Sequence, residues 1–177
     1  MNMKRSLLIG CGSSRVKQVY RGSPQWAGEL TTLDMNPDCG ADVVLDMGAV
    51  PFHKDCRVLP FEDNTFDEMG CFNALEHWGR QGDWRGYFDE FAEYHRILKP
   101  GGTFGIVVPV GGDALADPGH TRFFSTNHFG FLSQAFYDYN FVKGTCFTDY
   151  RWYWKLNFNI LHLEVDAAHI YTLLEKA

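Results

Sequence analysis

The sequence predicts an α/β fold: a doubly wound, mostly parallel sheet with helices on both faces. Three observations carry that reading. Short apolar runs alternate with amphipathic stretches, the pattern of an open α/β sheet. The runs end at glycine or polar positions, namely Gly10 to Ser14, Asp34, Asp46 and Asn73. These all fall at strand carboxyl ends, where such sheets bind ligands beside the point of reversal in strand order.

The first strand is Ser6-Leu7-Leu8-Ile9, closed by Gly10-Cys11-Gly12. A second fits Leu30 to Leu33 and ends at Asp34, with Asn36-Pro37-Asp38 as the turn after it. A third fits Ala41 to Leu45 and ends at Asp46, and a fourth fits Phe66 to Phe72. From Trp84 to Leu98, the residues Tyr87, Phe88, Phe91, Tyr94, Ile97 and Leu98 recur at helical spacing. Lys99-Pro100-Gly101-Gly102 stops that helix. Thr103 to Val108 reads as a fifth, buried strand. Ser125 or Thr126 can cap a further helix that turns Phe129, Leu132 and Phe136 inward. Trp152 to Val165 is aromatic and β-branched enough for one or two last strands, and Asp166 is placed to cap a final helix, Ala167 to Glu175. Gly111, Gly112, Pro118 and Gly119 make Asp113 to Phe124 a long loop of the kind that covers or binds ligands.

The 177 residues fit one domain. With 45% hydrophobic and 21% charged residues, the chain can bury a full core without disulfides or metal. A net charge of −6 argues against long-range attraction to phosphate backbones, so duplex nucleic acid is not expected as a partner. None of the five cysteines forms a C-x-x-C pair, which removes support for a zinc ribbon or a thioredoxin-type site. Their odd number and the lack of a signal-peptide pattern argue for a reducing, cytoplasmic setting. Leu7-Leu8-Ile9 is far too short to span a membrane, so no membrane partner is expected. The aromatic C-terminal segment offers a face for a second copy, a homodimer.

A G-x-G turn directly after a strand lets the backbone bend tightly and approach a ligand. Asp34 strengthens that reading. It ends the next strand, a little over about 20 residues on, where an acid accepts hydrogen bonds from ribose hydroxyls; a turn cap shared with Asn36 is the plainer alternative. Arg15 stands where a dinucleotide fingerprint needs its third glycine, which disfavours a nicotinamide oxidoreductase. No P-loop pattern exists. An adenosine ligand without pyrophosphate fits better, and S-adenosylmethionine is the common one.

The sequence resembles class I S-adenosylmethionine-dependent methyltransferases, most closely the small type 11 kind. The matching pieces, in the family's order, are Leu7-Leu8-Ile9-Gly10-Cys11-Gly12, Leu33-Asp34-Met35-Asn36-Pro37, Ala41 to Asp46, Leu59-Pro60-Phe61-Glu62-Asp63-Asn64-Thr65-Phe66-Asp67, Asn73-Ala74-Leu75-Glu76-His77 and Arg96-Ile97-Leu98-Lys99-Pro100-Gly101-Gly102. The resemblance implies one Rossmann-like domain over residues 1–177, with an antiparallel C-terminal strand. It implies S-adenosylmethionine as cofactor and S-adenosylhomocysteine as product. Gly10, Cys11 and Gly12 would pass under the methionine part, Asp34 would bind the ribose, and Met35 would lie against the adenine. Asp46 and Met47 would read the adenine edge; Asp55 has similar spacing, but only Asp46 follows a strand. Asn73 and Ala74 would lie near the sulfonium. Three positions depart from the family: Leu8 stands for the usual acid, Ser14 for a third glycine, and the N-terminal cover helix is expected to be missing.

Methyl transfer rests on alignment, with a base needed only where the acceptor must lose a proton early. His77, just after the fourth strand, and His120 are the candidate catalytic residues. His120 and Arg122, in Asp117-Pro118-Gly119-His120-Thr121-Arg122-Phe123-Phe124, are the candidate acceptor-binding pair, an Arg122–Asp117 ion pair being the structural alternative. His120, His128 and Asp117 match no standard metal-ligand spacing, so no metal is expected. The activity expected is methyl transfer to a small-molecule or sugar-type acceptor. A non-catalytic cofactor-binding or scaffold protein with the same fold is the competing reading.

Overall fold

A computed structural model of the chain describes residues 3–18, 23–53, 57–145 and 148–177; Asp55 lies outside them. The strands are β1 (Arg5–Ile9), β2 (Glu29–Asp34), β3 (Val43–Val44), β4 (Phe66–Phe72), β5 (Leu98–Pro109), β6 (Phe158–Val165) and β7 (His169–Lys176). The helices are α1 (Trp84–Ile97), α2 (Gly111–Ala116), α3 (Thr126–Gly130) and α4 (Gln134–Lys143). Among the described residues, no helix is long and apolar enough to cross a membrane.

One seven-stranded sheet runs in the order β3-β2-β1-β4-β5-β7-β6. The first five strands in that order pair in parallel, while β7 is antiparallel to both β5 and β6. The chain therefore runs outward from β1 to β3, then returns to place β4 on the other side of β1. This reversal opens a crevice at the carboxyl ends of β1 and β4.

The residues of β1 explain its central place. Leu7 and Ile9 face one side, where they join Met69, Cys71, Phe104 and Ile106 against Phe91, Tyr94 and Ile97 of α1. Leu8 faces the other with Phe72 and Val107, beneath Trp26 and Tyr171. Fully burying one such side chain contributes about 1.5–3 kcal/mol, so a one-residue slip of β1 would cost several such terms. The helical cover is heavier on the first face, where α1 and Phe129 of α3 pack. On the second, the described residues between β1 and β2 form no helix. Glu68 of β4 tethers that segment through an ion pair with Lys17 and by accepting the Ala27 N–H at 2.8 Å.

Three local expectations are corrected. The third strand shrinks from Ala41–Leu45 to Val43–Val44, because the Asp42 carboxylate folds back to accept the Thr32 N–H (2.8 Å) and hydroxyl (2.7 Å). The final segment is a strand rather than a helix. Ile170, Thr172 and Leu174 alternate inward and pair with β5, while Asp166 caps the β6–β7 turn by accepting the Ala168 and His169 N–H groups. The expected loop after β5 begins with α2.

Candidate active site at the carboxyl edge

Four turns meet at the carboxyl edge of the sheet. The turn after β1 is held by the Gly10 N–H donating to the Leu33 carbonyl at 2.8 Å. Gly10 has φ +66°, and a Cβ there would lie 2.3 Å from Ala74 Cβ. Only glycine lets the β1 and β4 turns touch in this way. Gly12 differs: its φ is +48°, and nothing lies within 4 Å of an added Cβ. The turn therefore presents bare backbone to open space at the strand end.

Asp34 caps its own turn and also braces the glycine turn. Its Oδ2 accepts the Gly12 N–H at 2.7 Å and its Oδ1 accepts the Asn36 N–H at 2.9 Å. The carboxylate is thereby fixed at the strand end, with further lone pairs available to hydroxyl donors. The Leu45 N–H donates to the Asp34 carbonyl at 2.9 Å, which brings Asp46 to the same edge. Asp46 is exposed and caps its own turn through the Gly48 N–H; Met35 is also exposed. The Met47 side chain is buried in the first-face core, which leaves only its backbone for a ligand at that edge. Cys11 is buried as well, and burial raises its thiol pKa to about 11, so it stays a neutral wall of the turn.

On the other side of the Gly10–Ala74 contact, β4 ends in Asn73, whose φ of +50° turns the chain sharply. A short 3-10 turn, Leu75–His77, follows. The segment after α2 is stapled to it. The Glu76 carbonyl accepts the Thr121 and Arg122 N–H groups at 2.9 and 3.2 Å, and the Leu75 carbonyl accepts Arg122 Nη2 at 2.8 Å. These bonds bring His120 against His77, with ring centroids 4.6 Å apart and planes at 78°. Asn73, Glu76, His77, Asp113, Asp117 and His120 help to line an open cavity of about 530 Å³.

Glu76 was read in the sequence only as the neighbour of His77, yet it forms the floor of this cluster. Its side chain is 2% exposed, its Oε2 has no hydrogen-bond partner, and its Oε1 stands 3.9 Å from His120 Nε2. Burial raises its pKa to about 7 against the lowering effects of His120 and Arg122. The available signal was its place directly after a buried strand end, in Leu75-Glu76-His77.

Arg122 is corrected in both of its roles. It is buried, and its guanidinium pairs with neither an acceptor cleft nor Asp117 but with Glu90 of α1, Nη1 to Oε2 at 2.7 Å. Glu90 also accepts Trp78 Nε1 and the Tyr94 hydroxyl. His128 is taken up in the cap of α3, where its Nδ1 accepts the Ser125 N–H. A second cavity, about 230 Å³ and more enclosed, is lined by Trp84, Tyr87, Phe88 and Phe131. None of its lining residues ends a strand, so the crevice lies elsewhere.

A mostly parallel sheet with an antiparallel β7, a glycine turn after β1 and an acid ending β2 define a class I, S-adenosylmethionine-dependent methyltransferase fold. The chain belongs to the Methyltransferase domain family, which matches residues 7–106. Among solved structures, one similar chain comes from the complex between the Haloferax volcanii Trm112 methyltransferase activator and a methyltransferase. It is 15% identical, with a TM-score of 0.57, over 98% of this chain and 82% of that one. A SAM-dependent methyltransferase from Methanosarcina mazei is 16% identical, with a TM-score of 0.55, over 99% and 94% of the two chains. The YcgJ protein of Bacillus subtilis is 16% identical, with a TM-score of 0.53, over 98% and 92%. At these identities the likeness is one of fold. No curated protein matches the sequence.

Proposed function

We propose that the chain, acting as one domain, transfers a methyl group from S-adenosylmethionine to a hydroxyl of a small-molecule or sugar-type acceptor. The observation that carries this is the division of the carboxyl edge. An open backbone turn with a fixed acid lies on one side of the Gly10–Ala74 contact, and a polar, histidine-lined cavity on the other. S-adenosylmethionine supplies an electrophilic methyl on a sulfonium. Gly12 leaves room for its methionine portion, Asp34 accepts from its ribose hydroxyls, and Met35 and Asp46 flank the adenine. Asn73 and Ala74 border the place where the two ligands meet. His77 and His120 bind the acceptor hydroxyl, and its proton is withdrawn on that side of the cavity. Holding the acceptor in line with the methyl supplies much of the rate.

Titration calorimetry with S-adenosylmethionine, S-adenosylhomocysteine and NAD tests the cofactor side. The first two bind and NAD does not. Asp34→Ala weakens S-adenosylhomocysteine by about 1–3 kcal/mol, about ten- to hundredfold, through lost charge-assisted hydrogen bonds. His120→Ala keeps that affinity but loses turnover on hydroxylated acceptors. Unchanged affinity in a folded Asp34→Ala protein overturns the cofactor assignment.

A further inference from the structure

We propose that Glu76, His77 and His120 form a binding site for one divalent cation of the zinc class. The proposal rests on the reading of their cavity as the acceptor site and adds how the acceptor's proton is withdrawn. One ligand atom from each residue lies within 4.8 Å of the other two. Around a tetrahedral zinc with bonds near 2.0–2.1 Å, ligand atoms stand about 3.3 Å apart. The ligand atoms therefore have to draw together by little more than about 1 Å to enclose the ion.

The hydrogen bonding of the cluster points the same way. His120 Nδ1 lies 2.8 Å from the Ala114 carbonyl. A carbonyl only accepts, so Nδ1 carries the proton, and in the neutral ring Nε2 presents its lone pair. That lone pair faces Glu76 Oε1 at 3.9 Å, too far for a hydrogen bond, while Glu76 Oε2 is buried with no partner at all. Two acceptors facing each other in a buried place, plus an orphaned carboxylate oxygen, cost free energy unless a proton or a cation lies between them, and a cation satisfies all three ligand atoms at once. An imidazole oriented by a carbonyl on its far nitrogen is also how proteins aim histidine at metals. Asp113 and Asp117 line the same cavity and add negative charge.

Two imidazoles and one carboxylate suit zinc and leave a coordination position open. Because the same three residues line the cavity, a hydroxyl of the acceptor would reach that position from it. Its oxygen would lose its proton to solvent more readily, because a divalent cation stabilises the conjugate base. Neither histidine then needs to act as the base itself.

A second cluster, Cys11, Asp34 and Cys39, also has ligand atoms within 4.8 Å of one another, so the test separates the two. The full chain, stripped with a chelator, is titrated with zinc against a chromophoric competitor, with neither cofactor nor acceptor present. One equivalent binds. Glu76→Gln, His77→Ala and His120→Ala each weaken it at least about tenfold, in line with loss of a ligand, and Cys39→Ser leaves it unchanged. Cobalt substitution of the wild-type chain guards against misfolded variants: its visible bands appear without a thiolate-to-cobalt charge-transfer band. Absence of binding, loss of binding in Cys39→Ser, or a thiolate band overturns the proposal. Because this readout needs no methyl transfer, zinc bound with one equivalent stands even if no hydroxylated acceptor reacts, an outcome that overturns only the acceptor reading.

Discussion

Gly10 and Gly12 look interchangeable in Gly10-Cys11-Gly12, and as sequence both read as residues that spare room for a ligand. Their surroundings separate them. An added Cβ at Gly10 meets Ala74 Cβ at 2.3 Å, whereas one at Gly12 meets nothing within 4 Å. Gly10→Ala therefore acts on the fold. Urea denaturation should report a loss of about 1–3 kcal/mol from overpacking, and adding Ala74→Gly should restore part of it, the remainder being backbone strain at φ +66°. Gly12→Ala costs about 1 kcal/mol of backbone strain, yet it should weaken S-adenosylhomocysteine more than it weakens the fold, since its methyl enters the ligand's space. Wild-type affinity in Gly12→Ala would make that turn purely structural. The distinction was invisible in the sequence because it depends on what the β4 turn brings to Gly10, 64 residues downstream at Ala74.

At the scale of elements, the segment from Asp117 to Ser125 owes its place to a buried polar lock. Arg122 reaches Glu90, and Glu90 also receives Trp78 and Tyr94. Glu90 lies three residues after Tyr87 and four before Tyr94, on the stripe of α1 that packs inward, but the apolar pattern by which the helix was read passes over it. Its partner was not legible either, because 32 residues separate them. The C-terminal strand shows the opposite failure. Asp166 before Ala167-Ala168 reads as a helix cap, but the edge of β5 offered a ladder to His169–Glu175 and tertiary pairing outweighed the local signal. Removing one partner of a buried pair costs about 3–5 kcal/mol, because the other is left charged and unpaired. Arg122→Met should lower stability by that order in thermal or urea unfolding, with acceptor binding lost only as the segment loosens. His120→Ala, which leaves the lock intact, should unfold close to wild type. If Arg122→Met unfolds like wild type while binding of the acceptor is lost, Arg122 is an acceptor ligand after all.

Across the whole molecule, the strand order brings residues 10–12, 34, 46, 73, 77 and 120 to one edge, and the acid response of the fold is set on its other margins. His95, near the end of α1, packs edge-on against Phe158 with ring centroids 5.2 Å apart, and its Nε2 is buried without a partner. Burial lowers its pKa to about 4; nearby Lys176 adds to the lowering and the Asn157 carbonyl opposes it. In the unfolded chain the imidazole titrates near its ordinary value of about 6.5. Between those two values the unfolded chain takes up a proton that the folded protein refuses. Stability from this group is therefore complete above about pH 6.5 and is lost as the pH falls toward about 4. His128, also lowered by burial and by Arg122, contributes with the same sign. Burial pushes Glu93 up, but Arg96 and the Val58 and Leu59 N–H groups together hold it below its ordinary value, so it loses its contribution at lower pH still. Glu76, raised by burial to about 7, works against these groups, because the folded protein takes up a proton there before the unfolded chain does. Between pH 7 and pH 4 the urea midpoint should therefore lose more, or gain less, in the wild-type chain than in His95→Leu, which keeps an apolar contact with Phe158 but cannot titrate. Equal slopes in the two proteins would mean that His95 is protonated in the folded state as readily as in the unfolded one. The acid sensitivity of the fold would then rest on His128 and on its carboxylates.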